Sequence, residues 1–319
     1  MAQPSNTFDA YDSVGNREDL SDLIFNISPT DTPFLSACGK TKATNTYHEW
    51  QTDALAAVSD NKEVEGDDAA GDAVSATTRL GNYTQISSKT TVLSGTLEAV
   101  NRAGRKREMA YQLAKRGKEL KRDMENALVG LNNAKAAGNA STARELASVQ
   151  SWIATNTSKS SGATAGVDPT GDGTDARTDG TQRALTEAML TDVIDAIWTA
   201  GGTPDVMYCG THVKGVINGF TGRASTNYQL VNDGKSIQNA VDVYISDYGN
   251  IKVVPNRFSR ARDLLILQSD MWKIATLRPM QTKELARTGD SEKRQMLIEY
   301  TLEACNEAAN GIVADLATS

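Results

Sequence analysis

The strongest pattern of apolar positions in this chain predicts a long amphipathic helix over residues 107–131. The apolar residues recur at intervals of three, four or seven, and they are Met109, Leu113, Leu120, Met124, Leu128 and Leu131. This spacing places them on one face of a helix of roughly 25 residues, about 37 Å long. Gly117 falls inside it and weakens the prediction slightly. We expect the apolar face to pack against a sheet of the same subunit.

Two stretches rich in β-forming residues flank a segment that has almost no large apolar side chain. The stretches are 45–53 and 80–93, and both are polar on both faces. The residues between them are mainly Ala, Gly and acids, which provide too little apolar surface to form a core. The simplest prediction is a long two-stranded arm with a flexible acidic tip. Because an isolated hairpin is marginally stable in water, this arm needs a partner surface.

The rest of the pattern mixes helices and strands without a repeating βαβ series. Residues 1–16 are polar and predict a mobile arm, and 17–27 predict a short helix. Thr32 is the predicted N-cap of a second short helix that has Pro33 at its first position. Further helices are predicted at 142–153, 185–198 and 213–220, strands at 206–209, 241–246, 251–254, 264–267, 272–277 and 295–304, and a loop at 157–182. The fold class is therefore α+β.

The overall composition excludes several classes of protein. With 319 residues, 39% hydrophobic and 23% charged, the chain has the composition of an ordinary globular protein. The three cysteines are widely separated, which argues against a disulfide framework or a zinc site. No basic region followed by an apolar stretch begins the chain, so we expect neither a signal peptide nor a membrane span. Synthesis in a reducing cytoplasm is the expectation.

The net charge of −7 hides two segments of opposite sign. From residue 102 to 122 there are nine basic residues against two acids, which gives +7, and from 60 to 72 there are six acids against one lysine, which gives −5. One interpretation is that both are solvated faces. The other is that the two segments meet between neighbouring copies, where complementary charge sets the register of the contact.

Motifs for nucleotides and metals are incomplete. Residues 38–41 (Cys-Gly-Lys-Thr) and 233–236 (Asp-Gly-Lys-Ser) match the end of a phosphate-binding loop, but Phe34 and Gln229 stand where its first glycine is required. Four aspartates of the 157–182 loop lack the spacing of a calcium site, and they are Asp168, Asp172, Asp175 and Asp179. We therefore predict no cofactor and no metal.

Catalytic side chains are equally scarce. His48 and His212 are the two histidines of the chain, too few for a zinc hydrolase or a Ser-His-Asp triad. Cys209 lies near His212 but ends an apolar strand, so we expect it to be a buried packing residue. The basic helix has Tyr111 as its one aromatic residue, which does not support sequence-specific nucleic-acid recognition. No catalytic residue is predicted.

The order of elements and the amino-terminal sequence resemble a known family. Residues 17–35 (Arg-Glu-Asp-Leu-Ser-Asp-Leu-Ile-Phe-Asn-Ile-Ser-Pro-Thr-Asp-Thr-Pro-Phe-Leu) and 45–50 (Asn-Thr-Tyr-His-Glu-Trp) look like the start of a family of major head proteins of tailed phages. Across nearly the whole chain, the sequence of arm, β-arm, long helix and mixed body resembles the Hong Kong 97-type capsid fold. No motif identifies the lysine–asparagine crosslink that some members of this fold form.

The resemblance implies an organisation in five segments. These would be an N-terminal arm (1–40), an extended β-hairpin loop (41–98), a peripheral domain with the spine helix (99–183), an axial domain (184–255) and return strands of the peripheral domain (256–319). The candidate contacts between subunits are Trp50, Glu63, Glu65, Asp67, Asp68, Asp72, Arg105, Arg107, Lys115, Arg116, Lys118 and Arg122.

The implied function is that of a shell subunit, which is not an enzyme. It would assemble with itself into hexamers and pentamers of an icosahedral head around packaged double-stranded DNA, which it would contact nonspecifically. A separate scaffolding protein, a portal and a decoration protein are further expected partners. The alternatives are a cytoplasmic enzyme with an unrecognised site and a filament or surface-layer protein.

Overall fold

The structure is a computed structural model that describes residues 28–63, 65–66, 71, 73–100, 107–162, 164–220 and 242–319. The predicted arm helix at 17–27 and the polar residues before it lie outside the described residues. The loop-tip residues Asp67, Asp68 and Asp72 and the basic residue Arg105 also lie outside them.

The predicted long helix packs on a four-stranded sheet. Helix α3 runs over Glu108–Val129, which confirms the expected 107–131 within two residues at each end. Its buried face includes Leu120, Met124 and Leu128, and it lies against the two strands Gln85–Ser94 and Ser291–Ala304. The sheet has the order β1–β10–β11–β4, with the strands β1 (Gly39–Lys42), β4 (Gln85–Ser94), β10 (Trp272–Leu285) and β11 (Ser291–Ala304).

A second sheet of six strands forms the other half of the subunit. Its order is β5–β12–β9–β6–β8–β7, with the strands β5 (Asn156–Ser158), β6 (Val206–Cys209), β7 (Val243–Ser246), β8 (Gly249–Pro255), β9 (Leu264–Leu267) and β12 (Gly311–Val313). Helices α4 (Glu187–Thr199) and α5 (Thr211–Asn218) pack on one face in one apolar cluster, while the core beneath α3 covers much of the other. The sheet is therefore buried on both faces at its centre, as the run of apolar residues in β9 predicts. The predicted 241–254 hairpin is confirmed by the β7–β8 pairing.

The extended segment forms a shorter hairpin than the sequence predicts. Strands β2 (Tyr47–Thr52) and β3 (Thr78–Tyr83) pair as a two-stranded antiparallel sheet. The expectation that 80–93 runs as one strand opposite 45–53 is wrong, because the chain leaves β3 at Thr84 and continues as β4, which pairs with β11 of the same subunit. Short helix α2 (Gly95–Ala99) follows β4.

The predicted helix at 142–153 is wrong. A single 3-10 turn spans Val149–Ser151, and the residues before it are irregular. Every residue from 146 to 153 is buried, whereas an amphipathic helix needs a solvated side. Asn82 holds this segment in place by accepting a hydrogen bond from the Ala147 backbone N at 3.0 Å. The apolar and small polar residues here belong to an irregular segment that is buried in the core.

The short helix α1 (Pro33–Ala37) begins with Pro33, as predicted, but its cap is not the expected one. Thr32 makes no side-chain capping hydrogen bond. Instead, the buried carboxylate of Glu125 on α3 accepts the backbone N–H groups of Phe34 at 2.9 Å and Leu35 at 2.8 Å. A distant carboxylate thus satisfies the free N–H groups that a local cap normally takes, and it fixes α1 to α3.

The expected segment boundary at residue 256 does not separate the two sheets. Strands β9 and β12 lie after it and belong to the six-stranded sheet, whereas β10 and β11 return to the sheet under α3. The five-segment organisation itself stays a prediction.

Candidate assembly surface

The root of the β2–β3 hairpin is fixed to its own subunit by an aromatic cluster. Trp50 packs on Trp152 with ring centroids 5.3 Å apart, and Tyr47 packs on Tyr83 at 4.6 Å. The ammonium group of Lys135 lies 5.7 Å from the ring centroids of both Tyr47 and Trp152, a distance that allows cation–π attraction. Trp50 is therefore engaged within its own subunit, and its predicted contact with a neighbour stays a prediction.

Gly81 allows the hairpin root to approach this cluster closely. A Cβ atom at this position would lie 2.8 Å from two ring atoms of Tyr47. Lys135 Nζ donates hydrogen bonds to the backbone carbonyls of Gly81 at 2.9 Å and Asp172 at 2.7 Å. The lysine thus ties the hairpin root to the 157–182 loop.

A buried carboxylate on β11 holds the junction between β3 and β4. Glu299 accepts hydrogen bonds from Thr84 Oγ1 at 2.9 Å, from Arg144 at 2.5 Å and from Arg278 Nε at 2.6 Å. Two charge-assisted bonds compensate for removing the carboxylate from water. The junction from which the hairpin leaves the sheet is thereby fixed.

Glu303, four residues after Glu299 on the same strand, forms a second polar anchor. Its carboxylate lies 3.0 Å from His48 Nε2 on β2 and 3.5 Å from Lys273 Nζ on β10. The hydrogen bond with His48 lowers the pKa of Glu303, and the charge of Lys273 lowers it further. Together they outweigh partial burial, which alone would raise this pKa. His48 is thus a structural residue of the hairpin root.

These anchors explain a pattern that the sequence alone left unassigned. The alternation along β11 places Glu299, Thr301 and Glu303 on one face, and all three are buried. The polar β2–β3 hairpin lies over this face, and Thr301 Oγ1 donates to the Tyr83 backbone carbonyl at 2.8 Å. The one signal in the sequence was that both the hairpin strands and this face of β11 are polar, so that each can satisfy the other.

The tip of the hairpin, residues 53–77, has no such support. Its described residues form no helix or strand and are exposed, including the apolar side chains of Leu55, Val58 and Val74. The predicted contact residues Glu63 and Glu65 are exposed as well. Within the tip, Lys62 pairs with Asp60 at 2.5 Å, so the single lysine of the acidic segment is matched locally.

The basic face of α3 divides into engaged and available side chains. Arg107, Lys115 and Lys118 are exposed and have no ion pair within 4.0 Å among the described residues. Arg116 pairs with Glu119 at 2.6 Å, and the guanidinium of Arg122 lies 5.8 Å from the ring centroid of Phe258. Of the predicted contact residues on this face, three therefore have no ionic partner in the part of the chain that the structure describes.

The charge of this face is visible in a carboxyl group beside it. Partial burial alone would raise the pKa of Glu119, but the hydrogen bond from Arg116 and the nearby charges of Arg116, Lys115 and Lys89 lower it below its ordinary value. The helix face thus favours a negative charge placed on it.

The four aspartates of the 157–182 loop are used to build the loop. Asp168 pairs with Arg177 and with a lysine, while Asp172 and Asp175 accept hydrogen bonds from threonines of the loop itself. Asp179 pairs with two arginines that follow β8. Among the described residues, no group of three or more His, Cys, Asp or Glu side chains is arranged to hold a metal ion.

The first fragment of a phosphate-binding loop lies in extended strand β1, and the second lies outside the described residues. Cys209 is buried at the end of β6, as expected, and burial raises the pKa of its thiol to about 11. A thiol with so high a pKa is a poor nucleophile at neutral pH. Within the described ranges, no helix is both long and apolar enough to cross a bilayer.

Comparisons with known proteins agree with one another. The family model described as SU10 major capsid protein matches residues 3–317. The major capsid protein of Escherichia phage Phieco32 is 29% identical to this chain over 345 residues, which cover 98% of this chain and 97% of the phage protein.

Solved structures show the same architecture at low identity. A chain of the Cyanophage A-1(L) capsid asymmetric unit is similar with a TM-score of 0.64 at 14% identity, over 95% of this chain and 98% of that one. A chain from Gordonia phage Cozz is similar with a TM-score of 0.63 at 10% identity, over 99% and 98%.

Proposed function

The chain belongs to the SU10 major capsid protein family, and from this premise we propose that the tip of each β2–β3 hairpin is completed by the basic face of α3 on a neighbouring copy. The protein is a phage major capsid protein with the Hong Kong 97-type fold, so its function is to form a shell with copies of itself. The proposal concerns which surfaces make that shell.

The single observation that carries the proposal is the contrast between the two ends of the hairpin. The root is held by Trp50, Glu299 and Glu303 within the subunit, while the described residues of the tip at 53–77 form no helix or strand and expose apolar and acidic side chains. A segment of this composition gains order when it binds. We infer that the fixed root leaves the exposed tip where a neighbouring copy can bind it.

The charges support the basic face of α3 as the surface that the tip meets. The acidic segment at 60–72 requires basic partners, and Arg107, Lys115 and Lys118 offer exposed charge on one helix. Each exposed pair contributes little by itself, about 0–1 kcal/mol. A closed shell repeats the contact many times, and complementary charge fixes its register and increases the rate of encounter.

The test is a charge reversal followed by its compensation. Replacing Asp67, Asp68 and Asp72 together by lysine should slow or abort assembly, as followed by light scattering and electron microscopy. Combining that variant with Lys115→Glu and Lys118→Glu should restore particles, because the charges are again opposite. Added salt should weaken the wild-type contact.

Lys283→Glu with Arg287→Glu, which change exposed charges at the tip of the β10–β11 hairpin, serve as the matched control and should not rescue the loop variant. Normal particles from the loop variant alone would remove the electrostatic part of the proposal. A loop variant that fails to assemble in either combination would show that the acidic tip binds elsewhere.

Further features of the assembly follow as proposals from the resemblance to phage head proteins. We infer hexamers and pentamers of an icosahedral head, DNA contacted nonspecifically inside it, and separate scaffolding, portal and decoration proteins. The subunit is proposed to be a non-enzymatic component of the virion, made in the host cytoplasm. Electron microscopy of the expressed chain separates closed shells from the small oligomers of an enzyme and from the tubes of a filament protein.

A further inference from the structure

A second exposed apolar surface lies on the six-stranded sheet, far along the chain from the extended loop. Trp198, in the last turn of α4, stacks on Tyr248 in the β7–β8 turn, with ring centroids 4.8 Å apart and planes inclined by 22°. Both rings are nonetheless open to solvent, with exposed fractions of 53% for Trp198 and 40% for Tyr248. An exposed, stacked aromatic pair is rigid and costs little entropy to bury, which suits a contact surface.

Strand β7 continues this surface. It pairs with β8 on one side and is the last strand of the sheet on the other among the residues that the structure describes, and none of those residues pairs with its outer backbone groups. Tyr244 points toward the cluster under α4, whereas Val243 and Ile245 point to the opposite face, with exposed fractions of 45% and 78%. The aromatic pair and the two aliphatic residues thus border a free strand edge on both sides.

Natural proteins usually protect such an edge. Charged residues, proline, bulges or a covering element prevent unwanted strand pairing, but β7 carries no charged residue within Val243–Ser246. Exposed apolar side chains on both sides of an unpaired edge are what a partner needs for β-strand addition or for an apolar contact.

We infer that Trp198, Tyr248, Val243 and Ile245, together with the free edge of β7, form a contact with a second copy of this chain in the shell. A second copy is the occupant because the protein's function is self-assembly, so each subunit in a closed shell is bordered laterally by others. The inference rests on the shell-forming function but not on the contact between the loop tip and α3.

The charges around the surface define how the second copy approaches. Exposed Asp192 and Asp195 lie on α4, and exposed Asp242 and Asp247 flank β7. The neighbouring cations are Lys214, 3.6 Å from Asp242, and exposed Lys252, which lies opposite Val243 in the β7–β8 pairing. A two-fold contact of the surface with itself would bring this excess of carboxylates together, and like charges disfavour that arrangement. The contact is therefore head-to-tail, with a different surface of the next copy, which is the type of contact that closes into rings.

The test uses variants at exposed positions, which leave the core intact. Ile245→Lys introduces the residue that natural edge strands use to avoid pairing, and Trp198→Ala with Tyr248→Ala removes the stacked pair. Each variant should keep the wild-type thermal unfolding midpoint as a monomer but require an at least roughly tenfold higher protein concentration to assemble, as measured by sedimentation velocity and electron microscopy. Val167→Ala, at a comparably exposed apolar position, should assemble like the wild type.

Tryptophan fluorescence gives a readout that does not depend on yield. The difference between the emission of wild type and a Trp198→Phe variant isolates Trp198, and this emission should move to shorter wavelength on assembly. Unchanged emission, or assembly of Ile245→Lys at the wild-type concentration, would overturn the inference. A monomer whose Trp198 emission is already that of a buried ring would mean that the chain's own residues cover the surface, which also overturns it.

The two contacts fail independently. If the charge-reversed loop variant assembles normally while Ile245→Lys does not, the proposed tip contact is wrong and the β7 contact stands. The opposite result removes the β7 contact alone.

Discussion

Buried carboxylates on β11 hold the root of the hairpin and its junction with β4, and Glu299 allows a direct test. Glu299→Ala would leave Arg144 and Arg278 facing each other without a counter-charge. Because both arginines keep some exposure to water, we expect a loss of about 2–3 kcal/mol in the free energy of unfolding, below the ~3–5 kcal/mol of a fully buried pair. Urea denaturation measures it, with exposed Glu284→Ala as the control. A loss no larger than that of the control would contradict the role of Glu299.

Asp263 predicts a dependence of stability on pH. Burial raises the pKa of its carboxyl to about 6 from 3.8, even though Arg260 lies 2.9 Å away. The folded state therefore binds the proton more tightly than the unfolded chain, so the contribution of this group to stability is complete below pH ~4 and is lost as the pH rises through ~6, a change on the order of 2–3 kcal/mol. Asp263→Asn should flatten this part of a plot of urea midpoint against pH, whereas exposed Asp270→Asn should not. A decline of equal steepness in the wild type and in Asp263→Asn would contradict the assignment.

At the level of elements, helix α3 contains a glycine that the packing does not require. A Cβ atom on Gly117 would lie 3.5 Å from Met296 Sδ, an ordinary contact. Gly117→Ala should therefore stabilise the subunit by about 0.5–1 kcal/mol through helix propensity and a less flexible unfolded chain. At the end of the same helix, a Cβ atom on Gly130 would lie 2.5 Å from the Phe258 carbonyl oxygen, so Gly130→Ala should destabilise. Urea denaturation of both variants measures the change in the free energy of unfolding. Changes of the same sign would contradict the packing described around α3.

The elements that sequence periodicity predicted well are those with one buried face. Helix α3 and the β7–β8 hairpin lie within about two residues of their predicted bounds because one side of each is solvated or uniformly covered. The helix predicted at 142–153 is wrong because residues 146–153 are all buried, so their apolar positions do not mark one face of a helix. The division of 80–93 into β3 and β4 follows from pairing with β11, about 200 residues away in the chain, which local pattern does not encode.

The sequence predicted the charge of the candidate contact surfaces but not which of their side chains are exposed and unpaired. The sequence identified the basic helix and the acidic segment, yet it gave no sign that Arg116 and Arg122 are engaged within the subunit while Arg107, Lys115 and Lys118 are open. Which side chain of a charged run is free depends on its partners in the fold. The sequence did not indicate the exposed border of β7 either, because Val243 and Ile245 are residues typical of a buried strand.

For the whole molecule, the contrast between a fixed hairpin root and an unsupported tip predicts a change in protease sensitivity on assembly. A glutamate-specific protease should cut the unassembled subunit at exposed Glu63 or Glu65, because cleavage needs an extended, accessible backbone that the tip already offers. In the shell, a neighbour covering the tip should slow the cut by at least about tenfold, since cleavage then requires local opening of the contact. An added reference peptide that contains one glutamate normalises the protease activity, and mass spectrometry of the fragments follows the tip and the peptide in one digest. Equal rates of tip cleavage in subunits and in shells would mean that no copy covers residues 53–77, and the hairpin would then have to contribute to the shell through its root alone.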